Sequence, residues 1–385
     1  MTTAFEKLGR KLRLGVIGGG PGSFIGPIHR AAALLDQRYD IVAGVLSSDP
    51  ERCRTAATAL GFTGHADVPA MLAAERLDAV AIMTPNDCHI AECLAALRAG
   101  VDVICDKPLA NSRADALAIA RAAEGHVFCL THGYSGYPMI RQARAMVAAG
   151  VLGELRAVQV EYFQSGMSRP VEHGELTAKL RWKLAGERAG PSLVLGDIGT
   201  HVHHLACYVS GRPLTRLAAD LGALVPGRVV DDYGAMLLRF QGGVRGTLVA
   251  SQALAGTEND ITLRIFGADG HIEWTHRANN HLMLALNDRP VQRLARGDAD
   301  LLPAARRVVR IARGHPEGLV EAFANLYRDA AEAIAARLTG VEADPLALDF
   351  PTAADGVAGL AFVEAALASR RNGGAWVDVL NKTGT

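Results

Sequence analysis

The feature that most constrains this chain is the alternation in its first 130 residues. Short, β-branched-rich apolar runs alternate there with helix-patterned stretches. The runs are LRLGVIG (12–18), DIVAGVL (40–46), LDAVAIMT (77–84), VDVICD (101–106) and HVFCLT (126–131). Between them lie stretches such as HIAECLAALRAG (89–100) and SRADALAIARAAEG (112–125). The second of these opens on Ser112 and Asp115 in a capping-box-like pattern and closes on Gly125. A strand that is apolar throughout must be covered on both faces, and crossover helices cover both faces of a parallel sheet. The expected fold is therefore α/β, with residues 1–132 forming a doubly wound parallel sheet.

After residue 132 the pattern changes. A helix-like stretch at 138–149 precedes ELRAVQVEYF (154–163), which alternates as a half-buried strand does. DYGAMLLRF (232–240), VRGTLVASQAL (244–254), DITLRIFG (260–267) and HIEW (271–274) then follow without helices between them, and QGG (241–243) reads as a hairpin turn. Residues 133–385 are therefore expected to form an α+β domain with a large, open, mainly antiparallel sheet. Helices are expected near 316–337 and 352–371, and the basic stretch 275–315 reads as loop. At 385 residues the chain is long enough for two cores. Helices are available for only one face of the second sheet, so self-association into a homodimer or homotetramer is expected.

Lysine plus arginine and aspartate plus glutamate balance at 40 each, which gives no electrostatic footprint for nucleic acid or an anionic membrane. No stretch is long and apolar enough to span a bilayer, and the start of the chain does not read as a secretory signal. The six cysteines form no C-x-x-C pair, so reduced thiols and a cytoplasmic location are expected.

GGGPGSFIGPIHR (18–30) follows the first strand directly. Glycines at such a turn let the backbone approach a pyrophosphate seated at the next helix N-terminus. Gly18 and Gly20 fit a G-x-G-x-x-G spacing, but Ser23 stands where the third glycine would be. The loop reads as lengthened, with Gly26 taking the third role and Gly18, Gly20, Ser23, Phe24, Ile25 and Gly26 facing the dinucleotide. At the end of the second strand stands SSDPER (47–52). An acid there would repel a 2′-phosphate, whereas Ser47 and Ser48 are neutral and Arg52 adds positive charge. Both NAD and NADP are expected, with a mild lean to NADP, and Asp49 is the alternative ribose ligand.

In GDIGTHVHHL (196–205) a helix would set Asp197, His201 and His204 on roughly one face, with His203 elsewhere. The spacing alone fits metal ligands, acid–base groups or a wet helix face. No obvious fourth ligand accompanies the three, so no metal is expected.

TPNDCH (84–89) and CDKPL (105–109) precede GDIGTH (196–201). In this order and spacing the three stretches resemble the glucose–fructose oxidoreductase / inositol dehydrogenase / rhizopine-catabolism (Gfo/Idh/MocA) family of NAD(P)-dependent sugar and cyclitol dehydrogenases, over essentially the whole chain. The resemblance implies a Rossmann domain and a role for Lys107 beside the nicotinamide and the substrate. It also implies a cis Lys107–Pro108 peptide. Asp106 stands where the family has glutamate, and Thr84, Pro85, Asn86 and His89 belong to the cofactor-lining segment. The family's D-x-G/A-x-H pattern maps onto Asp197, Gly199 and His201.

On that resemblance the helix is expected to do acid–base work. His201 takes the hydroxyl proton, Asp197 orients the histidine or the substrate, and Lys107 hydrogen-bonds the reacting oxygen. Tyr134, Trp182 and His204 are further substrate-contact candidates. Two other functional classes fit the same scaffold: glycoside cleavage or epimerisation through transient oxidation, and a non-catalytic nicotinamide-binding regulator. A regulator need not keep Lys107, Asp197 and His201 together.

Overall fold

In the computed structural model, which describes residues 3–173, 184 and 190–379, the alternating N-terminal region folds as a six-stranded sheet. Its elements are α1 (Ala4–Leu8), β1 (Leu12–Gly18), α2 (Ile25–Leu35), β2 (Tyr39–Val45), α3 (Pro50–Ala59), β3 (Thr63–Gly64), α4 (Val68–Ala74), β4 (Ala79–Met83), α5 (His89–Arg98), β5 (Asp102–Cys105), α6 (Arg113–Ala122) and β6 (Phe128–Leu130). The strand order is β3-β2-β1-β4-β5-β6, and every pairing is parallel. Strands β4 and β5 are buried along their whole length, as continuous apolar runs in a doubly covered sheet require. The order reverses between β1 and β4, and in such sheets the crevice at the carboxyl ends of these strands is where ligands bind.

The chain divides into two units, and the division expected at 132/133 needs correcting. The first unit takes in residues 1–110, 114–136 and 318–356. The helix Leu319–Thr339 belongs to it because Phe323, Leu326, Tyr327, Ala330, Ala331 and Ile334 share one core cluster with Leu12, Leu14, Val16 and Ala32. Tyr39 Oη donates to the Tyr327 carbonyl at 2.8 Å inside that core.

The second unit comprises residues 111–113, 137–317 and 357–385. It carries α7 (Pro138–Ala148), β7 (Leu155–Phe163), α8 (Thr200–Ser210), β8 (Leu214–Gly222), β9 (Tyr233–Phe240), β10 (Arg245–Ser251), β11 (Asp260–Gly267), β12 (Gly270–Thr275), β13 (His281–Leu286), β14 (Gln292–Ala295) and β15 (Val377–Asp378). The sheet runs β14-β13-β12-β11-β7-β10-β9-β8-β15 and is antiparallel except where β7 pairs with β10. Burial alternates along β7, β9, β10 and β11, so one face is packed and the other is open.

The stretch 275–315 is not simply loop. It contains β13, β14 and a short helix, Pro303–Arg306. Its basic character has a partly internal use, since buried Arg296 pairs with Glu317 at 2.8 Å and donates to the Asn280 side chain and the Ile311 carbonyl. A buried guanidinium of this kind organises irregular backbone that periodicity cannot reveal. None of the six cysteines is in a disulfide. Among the described residues no helix is long and apolar enough to cross a membrane.

Candidate active site

Three strand ends bring the candidate residues of the first unit together. Gly18 at the end of β1 is in register with Met83 at the end of β4, and Ile82 is in register with Cys105 on β5. The Asp106 amide donates to the Ile82 carbonyl at 2.8 Å. The glycine loop, the Thr84–Asn86 segment and the Asp106–Pro108 segment therefore leave the same edge of the sheet.

Close approach dictates the glycines. A Cβ on Gly20 would lie 2.2 Å from the Leu46 carbonyl oxygen, and one on Gly26 would lie 2.2 Å from the Gly19 carbonyl oxygen. Gly26 thus occupies the close-packing position inside a loop in which Gly18, Gly19 and Gly22 all have positive φ. Ser23 Oγ accepts from the Gly26 amide at 3.1 Å and steadies the turn into α2. Phe24 is exposed at the loop, while Ile25 packs against the core. This backbone cradle at the start of an eleven-residue helix fits a dinucleotide pyrophosphate.

At the end of β2, Ser47 Oγ accepts from the Asp49 amide at 3.1 Å. The Asp49 carboxylate caps α3, accepting from the Glu51 and Arg52 amides at 2.9 Å each. Ser48 and Arg52 are exposed. The acidic group nearest to Ser47 in sequence is thus engaged locally.

The Lys107–Pro108 peptide is cis. Asp106 Oδ1 accepts from the Lys107 amide at 2.8 Å and from Thr131 Oγ1 at 3.1 Å. His89 is fully buried and bridges two segments, with Nδ1 2.9 Å from the Pro108 carbonyl oxygen and Nε2 3.0 Å from that of Thr84. Burial pulls His89 below the ordinary histidine range. His89 therefore braces the Thr84 and Pro108 segments from within. Pro85 and Asn86 form the turn between β4 and α5, where the Pro85 carbonyl accepts from the Cys88 amide at 2.9 Å. Thr84 Oγ1 donates to Glu92 Oε2 at 2.5 Å, and burial raises the Glu92 carboxyl to about 7.

Sequence reasoning missed one further group in this unit and misplaced another. Buried His29 has Nδ1 2.8 Å from Tyr327 Oη and Nε2 4.0 Å from Asp106 Oδ1. Tyr134 is buried in the short turn Gly133–Gly136, in the first unit and not at the start of the second as the sequence pattern implied.

In the second unit the run 196–205 is not one regular helix. Leu195–Gly199 is a π-helical turn, and α8 begins at Thr200. Single π turns of this kind occur often at functional sites. Asp197 and His201 therefore belong to differently wound segments, and the α-helical spacing argument applies only from Thr200 onward. Both side chains are nevertheless partly exposed, while their neighbours Ile198, Val202, His203 and His204 are buried.

His203 stacks on Phe362 with ring centroids 4.7 Å apart, and burial drives its pKa down to about 3. His204 is buried and stacks on Tyr208 at 5.5 Å. Asp197 Oδ2 accepts from Gln252 Nε2 at 2.7 Å, and the Tyr162 ring centroid lies 6.4 Å from that of His201. Gln252 and Tyr162 were missed; the one available signal was the polar Ser251–Gln252 step that interrupts an apolar strand. Trp182 lies outside the described residues. Among the described residues no group of three or more His, Cys, Asp or Glu is placed to hold a metal ion.

Comparison with known proteins agrees with this layout. Residues 12–134 match the oxidoreductase family model with an NAD-binding Rossmann fold, and residues 140–273 match the GFO/IDH/MocA C-terminal domain. An uncharacterized oxidoreductase of Bacillus subtilis (strain 168), YfiI, is 33% identical over 96% of this chain and 98% of its own length. The levoglucosan dehydrogenase of Pseudarthrobacter phenanthrenivorans is 28% identical, over 72% of this chain and 76% of its own. Among solved structures, an inositol dehydrogenase homologue from Azotobacter vinelandii complexed with NAD+ is 36% identical, with a TM-score of 0.90 over 96% of this chain and 97% of that one. The same homologue complexed with NADH and myo-inositol has a TM-score of 0.87 at 36% identity, over 96% of this chain and 98% of that one.

Proposed function

The chain belongs to the GFO/IDH/MocA family of NAD-binding oxidoreductases, and from that premise we propose that it is a dehydrogenase of a cyclitol, pyranose or related polyol. One observation carries the reading. Of the four ionisable side chains between 195 and 206, only Asp197 and His201 reach solvent, while His203 and His204 are packed away. A carboxylate and an imidazole that both reach solvent support acid–base chemistry at this turn.

In this reading His201 takes the hydroxyl proton as the carbon it leaves is oxidised, which suits an imidazole near neutral pH. Asp197 orients the imidazole or accepts from a substrate hydroxyl. The Lys107 ammonium donates to the reacting oxygen and favours its developing negative charge. When bound, the nicotinamide supplies the hydride acceptor. Gly20 and Gly26 give its pyrophosphate close access to backbone, and Asp106, held by the Lys107 amide and Thr131, fixes the lysine's segment. The relatives named for inositol and levoglucosan support a polyol as the substrate class.

Both NAD and NADP are accepted in this proposal, with a mild preference for NADP. The support is the neutral Ser47–Ser48 strand end and the local engagement of Asp49 as a helix cap. The open face of the second sheet exposes Leu237 and part of Val249, which supports a homodimer or homotetramer.

The test is an absorbance screen at the reduced-nicotinamide band, pairing each dinucleotide with a panel of cyclitols and pyranoses that includes myo-inositol. Steady release of reduced dinucleotide with at least one polyol is the expected result. Tight dinucleotide binding with no turnover across the panel would overturn the proposal. Sugar cleavage without released reduced dinucleotide would move it to the transient-oxidation class.

A further inference from the structure

Gln252 follows β10 directly and its side chain is almost wholly enclosed, with the residue 1% exposed. Nε2 donates to Asp197 Oδ2 at 2.7 Å and to Gln164 Oε1 at 3.1 Å. Oε1 is buried with no hydrogen-bond partner among the described residues. These contacts fix the amide's direction, because a flipped amide would set its carbonyl oxygen against a carboxylate and a second carbonyl. A buried acceptor without a partner is uncommon and calls for a reason. The two bonds that Nε2 donates set the orientation that leaves Oε1 facing no donor among the described residues.

The polarity then propagates outward. Gln164 Nε2 donates to Asn259 Oδ1 at 2.6 Å and to Tyr162 Oη at 3.1 Å, and Tyr162 Oη donates to Asn259 Oδ1 at 3.0 Å. Asn259 is held in the left-handed region at φ 47°. The Tyr162 ring, in turn, is the one that lies beside His201. A directed chain of side chains therefore connects the carboxylate of Asp197 to the flank of His201. Asp197 stands in a π turn, so its backbone is less regular than that of α8, and the bond from Gln252 is one constraint on where its carboxylate points.

We propose that Gln252 is a positioning residue for Asp197, holding its carboxylate as an acceptor in place beside His201; this rests on the acid–base reading given above. The titratable groups on the elements packed against the turn are His201, His203, His204, Cys207 and Tyr208 on α8 and Arg245 on β10, with Tyr162 on β7 completing the chain. Asp231, upstream of β9, is engaged by Ser192 and the Leu193 and Val194 amides. The Gln252 backbone keeps its own bonds, donating to the Asp232 carbonyl at 3.0 Å and accepting from the Met167 amide at 2.8 Å. Side-chain variants therefore leave the strand connection in place.

The experiment compares wild type, Gln252→Met, Gln252→Glu and Asp197→Asn in the full chain, using a polyol found active in the screen. A lost donor to a charged acceptor is expected to lower kcat on the order of ten- to a hundredfold in Gln252→Met. Removing a donor leaves more of the Asp197 charge to favour protonated His201, and a second carboxyl does so further. The acidic limb of the kcat/KM profile is expected to move upward, by about one pH unit or more in Gln252→Glu and by less in Gln252→Met. Dinucleotide affinity and melting temperature are recorded alongside. Gln252 variants with wild-type kcat and an unmoved acidic limb, beside an inactive Asp197→Asn, overturn the proposal. So does a variant that loses activity and stability together while the limb stays put, since that is a structural role. Full activity in Asp197→Asn would instead strike the acid–base reading beneath it.

Discussion

Replacing Gly26 with alanine tests whether the lengthened loop works as a close-packed pyrophosphate cradle. An added Cβ would stand 2.2 Å from the Gly19 carbonyl oxygen, 2.6 Å from its Cα and 2.7 Å from its carbonyl carbon. Relaxed carbon–oxygen contacts lie near roughly 3.3–3.6 Å, so loop and helix must separate by about 1 Å. All three atoms are backbone, and the same carbonyl oxygen accepts from Arg30 Nη1 at 2.7 Å, so no flexible side chain can yield instead. Overpacking of this kind costs about 1–3 kcal/mol. If dinucleotide binding must restore the native loop, that energy appears as roughly five- to 150-fold weaker affinity. The assay is a fluorescence titration with NADH, alongside thermal melting. Gly222→Ala is the control, because nothing lies within 4 Å of a Cβ there. Wild-type affinity and melting temperature in Gly26→Ala would refute the argument and return the third-glycine role to position 23.

Four other outcomes are expected. His201→Ala and Lys107→Met should each lower kcat by on the order of a hundredfold or more, with dinucleotide affinity little changed for His201→Ala, and steady-state kinetics beside NADH titration decide this. Ser47→Asp should shift dinucleotide preference toward NAD by roughly 1–3 kcal/mol, read as the ratio of kcat/KM values; a wild type that rejects NADP outright would make Asp49 the ribose ligand. Burial raises Glu92 from 4.5 to about 7, so the folded chain holds a proton that the unfolded chain has released. That contribution is full below the unfolded value and lost as pH rises through about 7, so Glu92→Gln should exceed wild type in stability by about 3 kcal/mol above neutrality and match it in acid, as measured by urea unfolding. Light scattering at micromolar concentration should find a dimer or tetramer, and a monomer would contradict the reading of the open sheet face.

The first unit was legible because its constraints are local and periodic. The runs at 12–18, 40–46, 77–84, 101–106 and 126–131 became β1, β2, β4, β5 and β6, with the bounds of β1 unchanged and the others moved by one or two residues. The glycine substitution pattern was legible for the same reason, since a missing Cβ is written directly in the sequence. Partnerships between distant positions were not. Nothing near Leu319–Thr339 says that its apolar face fits the sheet three hundred residues earlier. Gln252 is one amide at a strand end, and its role exists only because the fold sets it against Asp197. The π turn at Leu195–Gly199 escaped because periodicity assumes α geometry, and the 275–315 strands escaped because they are short and set in irregular backbone that buried Arg296 organises.

The split make-up of the first unit bears on how the chain is born. Its six strands are complete by Leu130, yet the helix that fills their core starts at Leu319. A ribosome adding about 5–20 residues per second takes on the order of 10–40 s to bridge that gap. Throughout that interval the nascent sheet lacks its cover: Tyr39 Oη and His29 Nδ1 wait for Tyr327, and the amides of Ala4 and Phe5 wait for Glu332. Residues 4–130 are therefore made well before the helix that completes their core, and over that interval their apolar surface needs shielding from other emerging chains.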